Sequence, residues 1–152
     1  MNSAIRMLIC SEAEVDLYAY RRGREPHCIV RIIRGKRCLV LDRCMAEWGA
    51  AMQLPYCFEG TWPSLRQSLQ DLEWPADATL VILLTSVNRI LPRVATEFGQ
   101  LLQTLSDFAT NRPSRPGSPA NVEVVLHAEP RYAEDAGRRL ANASVSFAPI
   151  EE

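Results

Sequence analysis

The chain has one lysine, two histidines and no long apolar run, and each scarcity excludes a class of protein. Sixteen of the 17 basic residues are arginine, and Lys36 is the exception. No apolar run approaches the roughly 20 residues of a membrane span, so we expect no membrane partner. The net charge of -1 lacks the concentrated basic excess of a nucleic-acid binder, so direct nucleic-acid binding is not expected. The 152 residues, 47% of them hydrophobic, predict one compact soluble domain.

Cysteine spacing and missing motifs argue against catalysis. The five cysteines include no C-x-x-C pair, so neither a disulfide framework nor a zinc site is predicted. The sequence MNSAIRMLIC lacks the features of a signal peptide, which favours a cytoplasmic location with reduced thiols. No phosphate-binding glycine loop, nucleophile motif or acidic metal-ligand set is present. We therefore expect no catalytic residue, no metal and no cofactor, and the two histidines fit packed or surface positions.

Three apolar runs predict strands in an α/β fold. Residues 28–33 and 79–85 have strand length, and the second is so continuously apolar that we expect it to be covered on both faces. Residues 122–126 alternate more, which predicts a strand nearer the sheet edge. The long connections favour right-handed parallel crossovers. The fold class predicted is α/β, with a small, mainly parallel, three-stranded sheet and flanking helices.

Helix signals lie between these strands. Asp42 is the predicted N-cap of a first helix, and Thr61 that of a second with Pro63 in its first turn. Pro92 is predicted to open the third and longest helix. The apolar stripes of the three helices are Met45, Trp48 and Met52, then Leu65, Leu69 and Leu72, then Val94, Phe98, Leu101, Leu102, Leu105 and Phe108.

The flanking segments carry weaker signals. Residues 4–27 predict a hairpin added to one sheet edge. Residues 110–120 (TNRPSRPGSPA) predict a loop rich in Pro, Gly and Ser, and residues 131–142 a short polar helix.

One segment, residues 48–74, combines aromatic and acidic side chains. It holds five of the eleven aromatics beside Glu59, Asp71 and Glu73, in a stretch of net negative charge. Aromatic anchors beside carboxylates favour a protein interface with a basic partner. Core aromatics with solvated carboxylates explain the same composition. Composition leaves both interpretations open.

The motifs of this region resemble the barstar-like family, whose best-known member is an intracellular inhibitor of a secreted ribonuclease. The resemblance runs from about residue 30 to 126, through IIRGKRCLVLDRCMAEWGAAMQLP and CFEGTWPSLRQSLQDLEW. The matching positions are Gly35, Asp42, Leu54, Pro55, Phe58, Trp62, Leu65, Leu69, Asp71, Leu72 and Trp74. The resemblance implies a barstar-like fold that lays a loop and helix across the nuclease cleft, where carboxylates take the place of RNA phosphates.

The resemblance also implies a partner-binding surface on the loop and helix at 56–74, with an acidic position on the last long helix. It places Gln67 and Pro63 where the barnase inhibitor of the family is acidic, and Arg66 where that inhibitor has tryptophan. We therefore expect a cognate protein toxin, a ribonuclease whose basic cleft is charged differently from that of barnase. The predicted partner-binding residues are Tyr56, Cys57, Glu59, Thr61, Arg66, Gln67, Gln70, Asp71, Glu73 and Asp107.

The leading hypothesis is a non-catalytic immunity protein or antitoxin. An alternative is a barstar-fold interaction or assembly module without a nuclease target, with a homodimer as one form. A third hypothesis is an enzyme that uses Cys57. The predicted organisation is an N-terminal extension packed on the core (1–29), the barstar-like domain (30–127), and a C-terminal tail with a short helix (128–152).

Overall fold

Parallel strands alternate with helices along most of the chain. The computed structural model describes residues 5–55, 58–110 and 117–150. Single 3₁₀ turns occupy Gly35–Arg37, Val87–Arg89 and Pro130–Tyr132. The strands and helices of the described residues are β1 (Ile5–Ile9), α1 (Glu12–Gly23), β2 (Cys28–Arg34), α2 (Leu41–Met52), α3 (Trp62–Asp71), β3 (Thr79–Thr85), α4 (Ala95–Thr110), β4 (Asn121–Ala128), α5 (Ala133–Asn142) and β5 (Ala148–Pro149).

The described strands form one sheet in the order β2-β3-β4-β1-β5, and every pair is parallel. The α/β class and the parallel sheet are confirmed, but the predicted strand number is wrong, because the described residues form five strands instead of three. β1 pairs with β4 from Ile5↔Val124 to Ile9↔Ala128, and β5 adds to β1. β4 therefore lies in the middle of the sheet, and the predicted edge position is also wrong.

The segment before β2 forms a strand and a helix instead of the predicted hairpin. Ser11 caps α1, because its hydroxyl accepts a hydrogen bond from the Glu14 backbone N–H at 3.2 Å. Val15 and Ala19, four residues apart, are the buried residues of this helix. The sequence Ser-Glu-Ala-Glu at 11–14 has the capping spacing that marks a helix start. The buried residues of α1 therefore follow helical spacing and not the alternation expected of a hairpin strand.

The helices cover the two faces of the sheet unequally. α2, α3, α4 and α5 pack on one face, where they share the main hydrophobic core with alternate residues of the strands. α1 packs on the other face, where Val15 and Ala19 contact a smaller cluster. Both faces of the central strands are therefore buried, as expected for residues 79–85. The β3 residues of the main core are Leu80, Ile82 and Leu84, and the strand residues of the smaller cluster include Leu8, Val81, Leu83 and Val125.

Helix starts agree only in part with the predicted caps. Thr61 caps α3 as predicted. Asp42 does not cap α2, because Val40 holds the extended position before the helix and Asp42 lies in the first turn. α4 begins at Ala95, so Pro92 precedes the helix and does not open it. The predicted polar helix near the C-terminus is α5, and residues 111–116 of the predicted loop lie outside the described residues.

Gly35 allows the end of β2 to approach the end of β3. A Cβ at this position would lie 2.2 Å from the carbonyl oxygen of Thr85 and 2.4 Å from that of Ser86. Both neighbours are backbone atoms, which cannot rotate away as a side chain could. A side chain at position 35 would therefore separate the carboxyl ends of the two strands.

His127 connects three strands at the same end of the sheet. Its side chain is fully buried in β4. Nδ1 accepts a hydrogen bond from the Ser86 backbone N–H at 3.1 Å, and Nε2 lies 2.8 Å from the Cys10 carbonyl oxygen, to which it donates. Both ring nitrogens are thus used by the neutral imidazole. Burial lowers the pKa of His127 below its ordinary 6.5, although the Cys10 carbonyl and nearby carboxylates favour the charged form.

We predict that Gly35→Ala destabilises the fold by about 3 kcal/mol or more, because the new methyl group overlaps backbone atoms. Urea unfolding followed by circular dichroism measures the change. The matched control is Gly99→Ala in α4, where an added Cβ meets nothing within 4 Å. That control should gain up to about 1 kcal/mol from helix propensity. Equal stability of the two variants would contradict the close approach at Gly35.

We predict that His127 makes stability fall with acidity below about pH 6.5. The pKa is lowered in the folded state, so the unfolded chain binds the proton more readily and stability is lost as pH falls. The slope cannot exceed about 1.4 kcal/mol per pH unit for one group. In urea unfolding between pH 7 and 5.5, His127→Asn should flatten the profile. A profile that His127→Asn leaves as steep as that of the unaltered chain would contradict the assignment.

Candidate functional site

α3 has one buried side and one side that faces solvent. Trp62, Leu65 and Leu69 are buried against the core. Gln67 and Asp71 are exposed one turn apart on the other side. Arg66 and Gln70, also one turn apart, are half-buried beside that row. The helix therefore presents two short rows of polar and charged side chains, which are four of the predicted partner-binding residues.

The tryptophans of this region belong to the core. Trp48 is completely buried, and Trp62 and Trp74 are each 9% exposed. Phe58 is half-buried and packs against the same core. Of the two interpretations left open by composition, the structure supports the core assignment for these aromatics. The polar residues of α3, and not its tryptophan, form the accessible surface.

Local hydrogen bonds hold the start of α3. The Thr61 hydroxyl accepts a hydrogen bond from the Ser64 backbone N–H at 3.2 Å, which caps the helix. The Ser64 hydroxyl in turn accepts one from the Glu59 backbone N–H at 3.0 Å. Gly60, between them, has φ +73°, a conformation that favours glycine. Exposed Glu59 is therefore held beside the first turn of α3, and the Thr61 hydroxyl already has a structural role.

A hydrogen bond from Trp62 to Glu97 joins α3 to α4. The indole Nε1 donates to the Glu97 carboxylate at 2.5 Å, in a partly buried position. Glu97 lies in the first turn of α4, where a carboxylate also suits the helix dipole. This contact fixes the N-terminal end of α3 against the neighbouring helix.

Two predicted acidic residues are bonded to glutamines of their own helices. The Gln67 side-chain amide donates to the Asp71 carboxylate at 3.0 Å. On α4, the Gln103 amide donates to the Asp107 carboxylate at 2.9 Å. An amide hydrogen bond leaves the negative charge in place, so both carboxylates keep their electrostatic potential. Glu73 is exposed and follows the end of α3.

Arg66 is the basic residue of α3. Its Nε is buried and has no hydrogen-bond partner among the described residues. A buried donor without a partner is costly, but this atom is closed to solvent, so another molecule would meet the rest of the half-buried guanidinium.

A groove of about 420 Å³ lies between α2 and the segment that precedes α3. Met45, Leu54 and Phe58 give it an apolar lining, and Asp42 and Glu59 add carboxylates. Asp42 was predicted to cap a helix, and its position in the lining of this groove was not predicted. The exposed position of Asp42 in the first turn of α2, next to an apolar stripe, is the signal that a helical projection could have used.

The structure brings only part of the predicted set together. Arg66, Gln67, Gln70 and Asp71 share the accessible side of α3. The other described members lie outside α3, and the predicted residues Tyr56 and Cys57 lie outside the described residues. Those other members are Glu59 and Thr61 at the start of α3, Glu73 beyond its end, and Asp107 near the end of α4.

Metal-binding clusters and membrane-spanning helices are both absent from the part of the chain that the structure describes. No group of three His, Cys, Asp or Glu side chains is arranged to hold a metal ion there. No helix in that part is long and apolar enough to cross a membrane.

Comparison with solved structures shows similarity to chains in structures of ORC proteins. A chain in the structure of Drosophila ORC bound to DNA matches with a TM-score of 0.64 and 11% identity, over 98% of this chain and 26% of that one. The Aeropyrum pernix ORC2 protein matches in its ADPNP–ADP complexes with a TM-score of 0.60 and 18% identity, over 99% of this chain and 43% of that one. This chain thus spans less than half of either protein, and the likeness shows the fold alone.

Sequence comparison identifies the family. No curated protein matches the sequence. The family model described as Barstar (barnase inhibitor) matches residues 29–142, which include β3, β4, nearly all of β2 and the helices α2 to α5. That match covers three quarters of the chain and contains α3 with its polar surface. The chain belongs to the Barstar (barnase inhibitor) family.

Proposed function

We propose that the protein is a non-catalytic inhibitor, an immunity protein or antitoxin, that blocks the active site of a cognate toxin in the cytoplasm. The proposed toxin is a ribonuclease, and the proposed contact surface is the loop and helix at 56–74. Family membership supports a protein-binding, inhibitor-type role. The observation that carries the proposal is the polar, accessible side of α3 opposite its buried leucines.

The charges of this surface suit a cleft that is basic at its margins. The carboxylates of Glu59 and Asp71 lie at the two ends of α3, and Glu73 follows the second of them. Carboxylates can replace RNA phosphates against the Arg, Lys and His side chains of a nuclease cleft. Arg66 lies between them, so we infer an acceptor or a carboxylate at the centre of the partner's cleft.

The surface is held in shape before any partner binds. The Thr61 cap fixes the first turn of α3, and the Trp62–Glu97 hydrogen bond fixes that turn against α4. A rigid surface loses little conformational entropy on binding, which favours affinity.

The groove beside α2 extends the proposed surface. Its apolar lining and its two carboxylates, Asp42 and Glu59, suit a lysine or arginine side chain. The aliphatic stem of such a side chain would pack on Met45 and Phe58, and its charged end would reach a carboxylate. We infer that a basic side chain of the toxin enters this groove.

We predict that Arg66→Glu weakens toxin binding by about 2 kcal/mol or more, because it places a carboxylate against the centre of the cleft. Co-purification from the host identifies the toxin, calorimetry with that toxin measures the affinity, and an RNase assay measures inhibition. Circular dichroism should show a smaller change in the free energy of unfolding. The unaltered protein should form a stoichiometric complex and abolish the RNase activity.

The matched control is Arg21→Glu, an exposed arginine on α1, which packs on the opposite face of the sheet. This variant should bind like the unaltered protein. Equal losses of binding in the two variants would contradict the α3 surface. A folded protein that neither binds nor inhibits the toxin would contradict the inhibitor function.

The second candidate function is an assembly module without a nuclease target. The observation that favours it is that β1 and α1 precede the family match at 29–142 and β5 follows it, so the sheet is larger than the matched domain. Light scattering after size exclusion distinguishes the two functions. A stable homodimer that buries the polar side of α3 would support assembly, and a monomer that captures the toxin would support inhibition.

We also propose that the chain does not share adenine-nucleotide binding with the ORC2 protein solved as ADPNP–ADP and ADP complexes. Only Cys10 and Ser11 connect β1 to α1, so no glycine-rich phosphate loop is present at this connection. Glu12 and Glu14 occupy the first turn of α1. Their carboxylates would repel a phosphate at the helix N-terminus, where phosphates otherwise bind.

A further inference from the structure

A second polar groove lies between α5 and the turn that follows β3. Its volume is about 430 Å³, within the range of small-molecule sites. It is separate from the surface proposed for the toxin, because none of its lining residues belongs to α2 or α3. The lining residues are Asn88, Arg89, Pro92, Tyr132, Asp135, Arg138, Arg139 and Asn142.

Arg139 holds a fixed positive charge in this groove. Its Nη1 donates to the Val87 carbonyl oxygen at 2.9 Å, and its Nη2 donates to the Leu91 carbonyl oxygen at 3.0 Å. The guanidinium carbon lies 3.6 Å from the centre of the Phe98 ring. No described carboxylate forms an ion pair with this partly buried guanidinium, so its charge has no counter-ion within the described residues. Burial accordingly lowers the pKa of Arg139.

The other charged residues of the lining leave an excess of positive charge. Arg89 is exposed and forms no ion pair with a described carboxylate. Arg138 pairs with Asp135 at 3.1 Å and with Glu134 at 3.4 Å. Three arginines therefore face one lining carboxylate, Asp135. Arginine favours phosphate because its planar N–H groups match two phosphate oxygens.

Asn88 adds a neutral polar side chain whose oxygen lacks a hydrogen-bond donor. Its Oδ1 is buried and has no hydrogen-bond partner among the described residues. A buried acceptor of this kind is costly unless a donor reaches it. Because that oxygen has almost no accessible surface, a bound molecule would instead meet Asn142 and Tyr132, which offer polar contacts to a hydroxyl group in the same groove.

The position of the groove agrees with a general property of parallel sheets. Ligands of open α/β sheets bind outside the carboxyl ends of the strands. Asn88 and Arg89 follow the carboxyl end of β3, and Tyr132 follows that of β4. We propose that this groove binds a small molecule that carries both a phosphate and a hydroxyl group. Arg89 and Arg139 bind the phosphate, and Asn142 and Tyr132 form hydrogen bonds with the hydroxyl group.

Titration of the purified, toxin-free protein with glycerol 3-phosphate tests the proposal at constant ionic strength in chloride. Amide chemical shifts followed by NMR should saturate, with the largest changes at residues 88, 89, 138 and 139. Arg89→Gln should weaken the affinity about tenfold, since it removes one charge-assisted contact. The control Arg43→Gln, at an exposed arginine of α2 outside the groove, should leave the affinity unchanged.

Parallel titrations identify the groups that are recognised. Inorganic phosphate should bind more weakly than glycerol 3-phosphate, and glycerol alone should not bind. Shifts that never saturate, or equal affinities of the Arg89→Gln and Arg43→Gln variants, would overturn the proposal. Binding of a single-stranded oligonucleotide without binding of glycerol 3-phosphate would also overturn it. Because no toxin is present, these outcomes do not depend on the proposed inhibitor function.

Discussion

A parallel sheet that is apolar on both faces must be covered on both, and this requirement governs the structure. β3 is buried from Leu80 to Leu84, so its alternate side chains need helices on opposite sides. The helices of the family match pack on one side, and α1 covers Val81 and Leu83 on the other. The segment before the family match is therefore part of the hydrophobic core and not an appendage. Burial of this kind contributes about 25 cal/mol per Å² of apolar surface.

The same arrangement explains which parts of the fold could be predicted from the sequence. The strand predicted at 79–85 has those bounds in the structure, because a continuous apolar run is a local signal. The Thr61 cap followed from a local signal too. The position of β1 between β4 and β5 could not be predicted in this way, since its pairing joins Ile5 to Val124 across most of the chain. Local patterns identify elements, and long-range pairing decides their order.

In the candidate site, too, local sequence patterns predict some features, and others depend on the packing of separate segments. Helical spacing separated Leu65 and Leu69 from Gln67 and Asp71, and the structure places the two pairs on opposite sides of α3. Aromatic composition could not distinguish an interface from a core, because a tryptophan on α3 fits either place until the packing of the helix is known. The groove beside α2 depends on how two separate segments approach each other. A helical projection can place Asp42 beside the apolar stripe of α2, but it cannot show that Glu59 of the other segment lies across the groove from it.

The hydrogen bond between Gln67 and Asp71 has a consequence for the speed of recognition. The amide leaves the carboxylate charged, so long-range attraction to a basic molecule acts before contact and raises the association rate. A carboxylate has about four acceptor sites, so Asp71 can accept a guanidinium or ammonium group and keep the Gln67 amide, which holds its orientation. Salt would therefore slow the approach, whereas the lifetime of a complex would depend on how well the oriented carboxylate fits the basic group of the partner.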